Sequence, residues 1–567
     1  MNRVRPLFVC AFVVCLVVVS APVFAQNNAA SQKGVDIHAT RAVKFDISEP
    51  LSELIKNQPV GLFVQEEAEP IKRPKAALHD TAASNSAKSP MVGVQTAALY
   101  PTTAQVGVNA LGLGVGFSGF SVTGAPPDPN LSVGDTQVVQ WVNSSYAVFD
   151  KATGNKIAGP FAGNTLWSGF GGQCQTRNSG DPVAQWDKIA HRWIMFQPVF
   201  NSPFYSCIAI STTNDATGTY YRFAFPQTVG FPDYPKLGNW VDAYYTTQNI
   251  FNTALTAYLG VEACAFEKTK LLVGDSTAKM ICVFDNSGGS LFDDGFLPAD
   301  IDSPELLPPA GTPEVFLGSI DNFTTGTAVY KYTMKPDFVN NTATFTGTNG
   351  ANPIAVNSFV GGCNYGSTAC VPQLGTTSRL DSLGDRLMYR LAYRRTTNKA
   401  NVPVNQYVVS HSIGLGTNGG VPLAERWYEF RAPNSDVSAL SLYQQGTYNP
   451  DSTNRWMGSL AIDKSGNIVL GYSTSSSTMY PAINFASRAS TDALGTLGTE
   501  SLLYAGTGSQ RNTSNRWGDY TSMAIDNDGC TFWYTDEYYV TPNVTFAWAT
   551  RIASIKVPSC TPWNPVP

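Results

Sequence analysis

Apolar positions along most of this chain recur at period two, the spacing of a strand with one face packed, and not at the three-to-four spacing of a helix. Strand-like runs enriched in β-branched and aromatic residues occur at Thr136 to Phe149, Val183 to Asp187, Trp193 to Val199 and Tyr205 to Ser211. Further runs follow at Leu387 to Tyr393, Tyr407 to His411, Ile468 to Tyr472 and Thr531 to Thr535. No long stretch carries a convincing helical period, so the pattern predicts an all-β chain. Upstream it fades. From Gln26 to about Pro101 the sequence is polar without sustained period; Asp46 to Phe63 suits one short helix, and Ala82 to Pro90 reads as a linker. Before that, Met-Asn-Arg-Val-Arg leads into an apolar run from Leu7 to Val19, and Val23-Phe24-Ala25 precedes Gln26. A basic start, a short apolar run and a small residue at the cleavage position make a secretory signal. The expected organisation is therefore a signal at 1–25, a low-order spacer or pro-segment at 26–105 and one β domain at 106–567, its regular pattern beginning near Pro126-Pro127-Asp128.

The β domain repeats internally. Asn454-Arg455-Trp456, Ala461-Ile462-Asp463-Lys464-Ser465-Gly466 and Tyr472 are matched by Asn515-Arg516-Trp517, Ala524-Ile525-Asp526-Asn527-Asp528-Gly529 and Tyr534. The two Arg-Trp pairs lie 61 positions apart. Looser starts fall near Asp128, Asp181, Asp233, Glu314 and Arg379. Seven starts in one large domain predict a β-propeller of seven blades, with six or eight as the alternatives, since radial repetition keeps the edges of antiparallel sheets short. A two-sheet sandwich would be large for this length.

Composition agrees. Charged residues make up 14% and aromatics 12%, with 49 glycines and 36 prolines, the balance of many short strands joined by tight turns. Lys and Arg number 37 against 42 Asp and Glu, which leaves no basic surplus for nucleic acid. No run after the signal reaches the roughly 20 apolar residues of a membrane span. Eight cysteines follow the signal, and an even count in an exported chain predicts disulfides. Pairing between sequence neighbours gives 174–207, 264–282, 363–370 and 530–560, one choice among about 105 connectivities. A metal cluster would need CxxC spacing or a nearby histidine, and neither is present.

Longer strings carry a resemblance. Asp128-Pro-Asn-Leu-Ser-Val-Gly, Val139-Gln-Trp-Val-Asn and the run from Leu380 to Arg394 are three of them. Arg455-Trp-Met-Gly, Arg516-Trp-Gly-Asp-Tyr and Cys530-Thr-Phe-Trp-Tyr-Thr complete the set. Together they resemble a family of secreted bacterial proteins described as sialidase-like or propeller-like, without an assigned function. The resemblance spans Asp128 to Cys560 and implies export and a propeller; it implies no chemistry.

In a propeller the first strand of each blade lines the central channel, and the loops at one end form a funnel. The blade starts place Asp128, Asp181, Asp233 with Lys236, Arg379 with Asp381, Arg455, and Arg516 with Asp519 on that rim. Arginine forks suit carboxylates or paired sugar hydroxyls, and Trp240, Trp456, Trp517 and Tyr520 could stack on a sugar face. The rim thus predicts binding of an extracellular glycan or surface polymer, including acidic ones. The alternative for the same residues is locking blade to blade, with the tryptophans packed between sheets. A sialidase-type hydrolase would draw its arginine triad from Arg379, Arg455 and Arg516 and its acid from Asp128 or Asp181. Against it, the Ser-x-Asp-x-Gly-x-x-Trp box is missing and no Tyr–Glu pair can be assigned. A protein-binding scaffold is the third reading. Asp526-Asn527-Asp528-Gly529 resembles the opening of a calcium loop but lacks the distal glutamate, and an Asx-Gly turn reads the same way. No other cofactor is implied. His38 and His79 fall in the expected spacer, His191 at a hairpin tip, and His411 on a strand face suited to the core. Neither HExxH, GxSxG nor a glycine-rich phosphate loop occurs.

Overall fold

The computed structural model describes residues 34–57, 93–97, 100–101, 104–286, 295–319, 325–347, 352–398, 400–434, 436–511, 514–540 and 546–562. The signal at 1–25, the linker at 82–90 and His79 lie outside the described residues. No helix among the described residues is long and apolar enough to cross a membrane.

Among the described residues the strands group into successive antiparallel units, arranged radially as a β-propeller, two of them joined into one ten-stranded sheet. Their innermost strands are Asn130–Val133, Val183–Asp187, Phe231–Asn239, Leu297–Ile301, Met388–Thr397, Asn454–Ile462 and Ser522–Ile525. Each packs on the next in that order, and the seventh packs on the first, so the ring closes. Closure is also built into the last sheet: its outermost strand is Gln105–Gly114, from the start of the domain, paired antiparallel with Trp548–Lys556. The expected domain start at 106 falls one residue inside that strand.

Radial sheets splay, so neighbouring inner strands cannot share a backbone ladder, and their edge groups need other partners. Polar side chains supply them at nearly every joint. Asn130 Oδ1 accepts from Ala184 N at 2.8 Å and Ser132 Oγ from Trp186 N at 3.0 Å, joining the first unit to the second. Asp181 Oδ2 accepts from Tyr234 N at 3.0 Å, and Asp300 Oδ1 accepts from Asn239 N at 3.4 Å. Ser412 Oγ accepts from Met457 N, Ser459 Oγ from Met523 N, and Ser522 Oγ donates to Leu131 O. The joint between the fourth and fifth units differs: Leu297–Ile301 and Met388–Thr397 pair there in parallel. All nine residues of Phe231–Asn239 and of Asn454–Ile462 are buried. Polar positions in the period-two pattern therefore mark inter-unit bonding, not solvent.

The four disulfides join Cys174 to Cys207, Cys264 to Cys282, Cys363 to Cys370 and Cys530 to Cys560, the sequence-neighbour pairing. Other expectations need correction. Residues 35–47, read as low-order spacer, form two strands: Val35–Arg41 adds to the third unit beside Lys279–Asp285, and Lys44–Ile47 to the second beside Tyr220–Pro226. Their polar residues misled the reading because they are used for pairing: Asp46 holds Arg222 through two 2.7 Å bonds, and His38 Nε2 lies 3.2 Å from Glu262 Oε1. The expected helix shrinks to Leu51–Leu54 and a 3-10 turn at Ile55–Asn57. Thr136 to Phe149 is two strands, Gln137–Val142 and Ser145–Asp150, turned at Asn143 with φ 32°. Glu314 does not start a unit; it sits in the second strand of the fourth, whose inner strand is Leu297–Ile301.

Candidate functional site at the mouth of the ring

The chain approaches its inner strands through one recurring backbone device. Asp128, Asp181, Tyr234, Met457 and Asp519 all have positive φ, between 47° and 60°, at or just before the inner strand of their units. An aspartate tolerates this region better than most residues, but Tyr234 and Met457 are strained there. Such strain, repeated around one opening, is the kind that collects at binding and catalytic sites. The device turns side chains of four units into the same end of the channel.

Six carboxyl groups gather there, from Asp128, Asp181, Asp233, Asp381, Asp385 and Asp519, around three cations, Lys236, Arg386 and Arg516. Arg516 pairs with Asp519, its Nε donating to Oδ1 at 3.1 Å and its Nη2 to Oδ2. Arg386 grips Asp385 with two 2.8 Å bonds and stacks over the Tyr234 ring at 4.5 Å. Lys236 Nζ lies 3.4 Å from the Tyr234 ring centre and 3.9 Å from that of Tyr520, donating to Pro235 O. Asp128 Oδ2 accepts from Asn143 Nδ2 at 2.6 Å, and Asp381 Oδ1 from Trp517 N at 3.1 Å. Tyr234 and Tyr520 donate to the backbone carbonyls of Asp519 and Pro182.

Burial and crowding shift these groups. Asp233 is pushed up to about 7, first by burial and then by the negative charge of Asp181, against the pull of Arg516 and Arg386. Asp181 is raised by burial and by Asp519, with Lys236 opposing. Burial brings Lys236 down to about 7 although Asp181 and Asp128 favour its charge. Arg516 and Asp181 are the part-exposed members; Asp128, Asp233 and Lys236 are buried. A second ionic layer lies farther along the channel and locks units together: Arg390 binds Asp300 at 2.8 Å and Asp302 at 2.5 Å, and Lys188 binds Asp302 at 3.1 Å.

Of the sequence-predicted rim, Asp128, Asp181, Asp233, Lys236, Asp381, Arg516 and Asp519 come together. The remainder does not. Arg455 is buried within its own unit, its Nε donating to Glu500 Oε2 at 2.7 Å and its Nη1 to Asn449 and Asp451. Arg379 is exposed in the loop before Leu380. Arg379, Arg455 and Arg516 thus share no ion-pair partner, and the triad of a sialidase-type site is not assembled by them. Trp456 and Trp517 are fully buried against each other with ring centres 5.7 Å apart, and Trp240 is buried with Nε1 on Thr312 O; none presents a face to a ligand. Tyr520, also buried, lies beneath Lys236.

The Arg-Trp repeat has a structural basis instead. In each copy the following glycine brings its N–H to a buried glutamate: Gly458 N to Glu425 Oε1 at 3.1 Å, and Gly518 N to Glu537 Oε1 at 2.8 Å. Sequence reading missed Tyr234, Asp385 and Arg386. Tyr234-Pro235 stands where Asp128-Pro129 and Asp181-Pro182 stand, at equal spacing, and that was the signal available.

Two cation readings can be checked. The Asp528 carboxylate closes an Asx turn on Cys530 N and Thr531 N, while Asp526 pairs with Lys151 at 3.0 Å, so the Asp526–Gly529 loop uses its own oxygens as a turn does. His38, Glu262 and Cys282 lie within ligating distance of one another, but Cys282 is bonded to Cys264 and has no thiolate to offer. His191 Nδ1 sits 3.0 Å from Asp135 at an exposed turn. His411, as expected, is a core residue: burial and Arg426 hold it down at about 3, and its Nε2 meets Tyr428 OH at 3.0 Å.

No family model and no curated protein matches this chain. Among solved structures, the chain is similar to a protein of unknown function from Dyadobacter fermentans DSM 18053, at 9% identity and TM-score 0.33, over 80% of this chain and 100% of that one. It is also similar to the subtype N11 neuraminidase-like protein of A/flat-faced bat/Peru/033/2010, at 10% identity and TM-score 0.29, over 75% and 98%. A third is the endo-arabinase from Bacteroides thetaiotaomicron VPI-5482, at 13% identity and TM-score 0.24, over 53% and 92%. The fold assignment rests on the strand order of the chain itself.

Proposed function

We propose that this protein is an exported propeller, each antiparallel unit one of seven blades, that binds a hydroxyl-rich extracellular glycan at the mouth of the ring. The observation that carries the reading is the surplus of carboxyl groups over cations there. The deeper layer that holds blades together is matched, Arg390 and Lys188 against Asp300 and Asp302, whereas a surplus of buried carboxyls raises the free energy of the fold, which supports a use at the mouth beyond packing. Carboxyl groups accept from sugar hydroxyls, and the Arg386 and Arg516 forks donate to them. The same surplus disfavours the acidic glycans that the sequence admitted, since a sugar carboxylate would meet more negative charge than positive. Export is supported by the basic–apolar–small order of residues 1–25 and by the four disulfides.

Glycan-array binding by the full chain, beside an Asp181→Asn/Asp233→Asn variant, tests this. Neutral glycans should be retained by the wild type and lost by a variant of unchanged melting temperature. Silence across the array, or retention of acidic glycans alone, would refute the reading.

Hydrolysis at the same mouth is the second reading, favoured by one observation: Asp233, pushed up to about 7 by burial and by the charge of Asp181, can hold a proton near neutrality, as a general acid must. Release of reducing ends from a bound glycan, abolished in Asp233→Asn while binding persists, would establish it; binding without release would leave a lectin-like role.

A further inference from the structure

One cavity lies away from the mouth. It lies on the seam where the closing strand Gln105–Gly114 of the seventh unit meets the first, encloses about 840 Å³, and is lined by Asn109, Asp135, Asp150, Lys151, Asp526 and Trp533 among others. A second cavity of about 450 Å³ shares Asn109 and Thr153 with it. The tip of the hairpin at 150–156 explains the division. Gly154, at φ +73°, sits so close to the closing strand that a Cβ there would meet Val108 Cγ1 at 2.6 Å and Ala110 Cβ at 2.7 Å. The two cavities flank that contact, and the larger of the two, with Asp135 and Asp150 on its lining, is the groove of interest.

The groove also opens on the other face of the ring. Mouth residues precede the inner strands, whereas Asp135 and Asp526 lie in the turns that follow inner strands of the first and seventh units, and Asp150 begins the turn between the third and fourth strands of the first. In an antiparallel unit these turns share the end away from the mouth.

We infer that this seam groove is a second binding site, and that its ligand is an oligosaccharide carrying free amines, of the amino-sugar class. A volume near 840 Å³ is within the usual range for ligand sites. The lining includes hydroxyl groups of Thr136, Thr153 and Ser554 that can exchange hydrogen bonds with sugar hydroxyls. Charge selects the amine. The Lys151 ammonium is spent on Asp526 at 3.0 Å and on Gly134 O at 3.1 Å. Asp135 and Asp150 then leave the groove negative. Asp135 gathers donors already, from His191, Asn214 and Asn527, which fixes its position. Asp150 is held below the usual carboxylate range by Thr153, whose N–H and hydroxyl both donate to Oδ1, so it is ionised at neutral pH. An ammonium beside hydroxyls fits this lining; a carboxylated or sulfated chain does not.

Calorimetric titration of the full chain with a glucosamine hexamer and with the fully N-acetylated hexamer tests the assignment. The free-amine hexamer should bind, and the acetylated one about ten-fold more weakly or worse, the loss of one charge-assisted contact. Asp150→Asn should weaken the free-amine hexamer by about the same factor. Thr136→Trp, at an exposed position on the lining, should block it by filling the space without touching the core, and melting temperatures will show that both variants fold. The mouth variant Asp181→Asn/Asp233→Asn should bind the hexamer as the wild type does, which separates this site from the proposed glycan site. No binding, equal binding of both hexamers, or loss in the mouth variant alone would overturn the inference.

Discussion

Glu425 offers the sharpest test of how this interior is held. Its side chain is buried between the fifth and sixth units, with Oε1 accepting from Gly458 N at 3.1 Å and 3.4 Å from Ser412 Oγ, while Oε2 has no hydrogen-bond partner. Burial pushes it up to about 8, the nearby Asp536 adding to the shift. The folded protein therefore binds a proton here that the unfolded chain, at an ordinary value near 4.5, gives up over most of the neutral range. Because the folded value is the higher one, the stabilisation is fully present below about pH 4.5 and is lost as pH rises through about 8. Across that window one group contributes a slope of at most about 1.4 kcal/mol per pH unit, so about 2–3 kcal/mol between pH 5 and 7. Glu425→Gln keeps the shape of the protonated acid and removes the titration. Chemical denaturation, or melting temperature if unfolding is irreversible, should be followed from pH 5 to 7 in both proteins. The wild type should lose more stability than the variant by an amount of that order. His38, His411 and the other shifted carboxyls titrate in both and cancel in the difference. Parallel pH profiles would refute the reasoning and mean that Glu425 is ionised in the fold.

Three further outcomes follow from the packing. Arg455→Ala should leave glycan binding at the mouth unchanged while lowering stability by about 2–4 kcal/mol, because Glu500 and Tyr472 lose their buried cation; thermal melting beside the array separates the two effects. Ser459→Ala should cost about 1–3 kcal/mol in denaturant titration, since Met523 N at the joint of the sixth and seventh units is left buried without its acceptor. Replacing Cys174 and Cys207 with serine should cost about 3–4 kcal/mol, the loop-closure entropy of their 33-residue separation, read as a fall in denaturation midpoint.

Much of the fold was legible from local chemistry. Period two marked the strands: Val183–Asp187 and Tyr205–Ser211 end where the alternation does. Disulfide pairing was legible for a related reason, since each bridge closes a short stretch of its own neighbourhood. Residues 35–47 were not legible, because a strand that only adds to a distant edge needs no pattern beyond a few pairing residues, and the partners lie far along the chain, Glu262 at 224 positions from His38 and Arg222 at 176 from Asp46. At the mouth, aspartates before inner strands could be found because the same backbone turn favours the same residue type in several units. Arg455 and Arg516 look alike in sequence but diverge in space. Arg516 precedes its inner strand and stays at the mouth, whereas Arg455 lies inside one and points between the strands of its own sheet. The glycines after the two Arg-Trp pairs, by contrast, serve the same purpose in both copies.

The central claim is that the mouth of the ring is the glycan site. A crystal structure of the chain soaked with the tightest neutral glycan from the array tests it most directly. The account predicts sugar density within hydrogen-bond reach of Asp181, Asp233 and Arg516; density confined to any other surface, with the mouth unchanged, would contradict it.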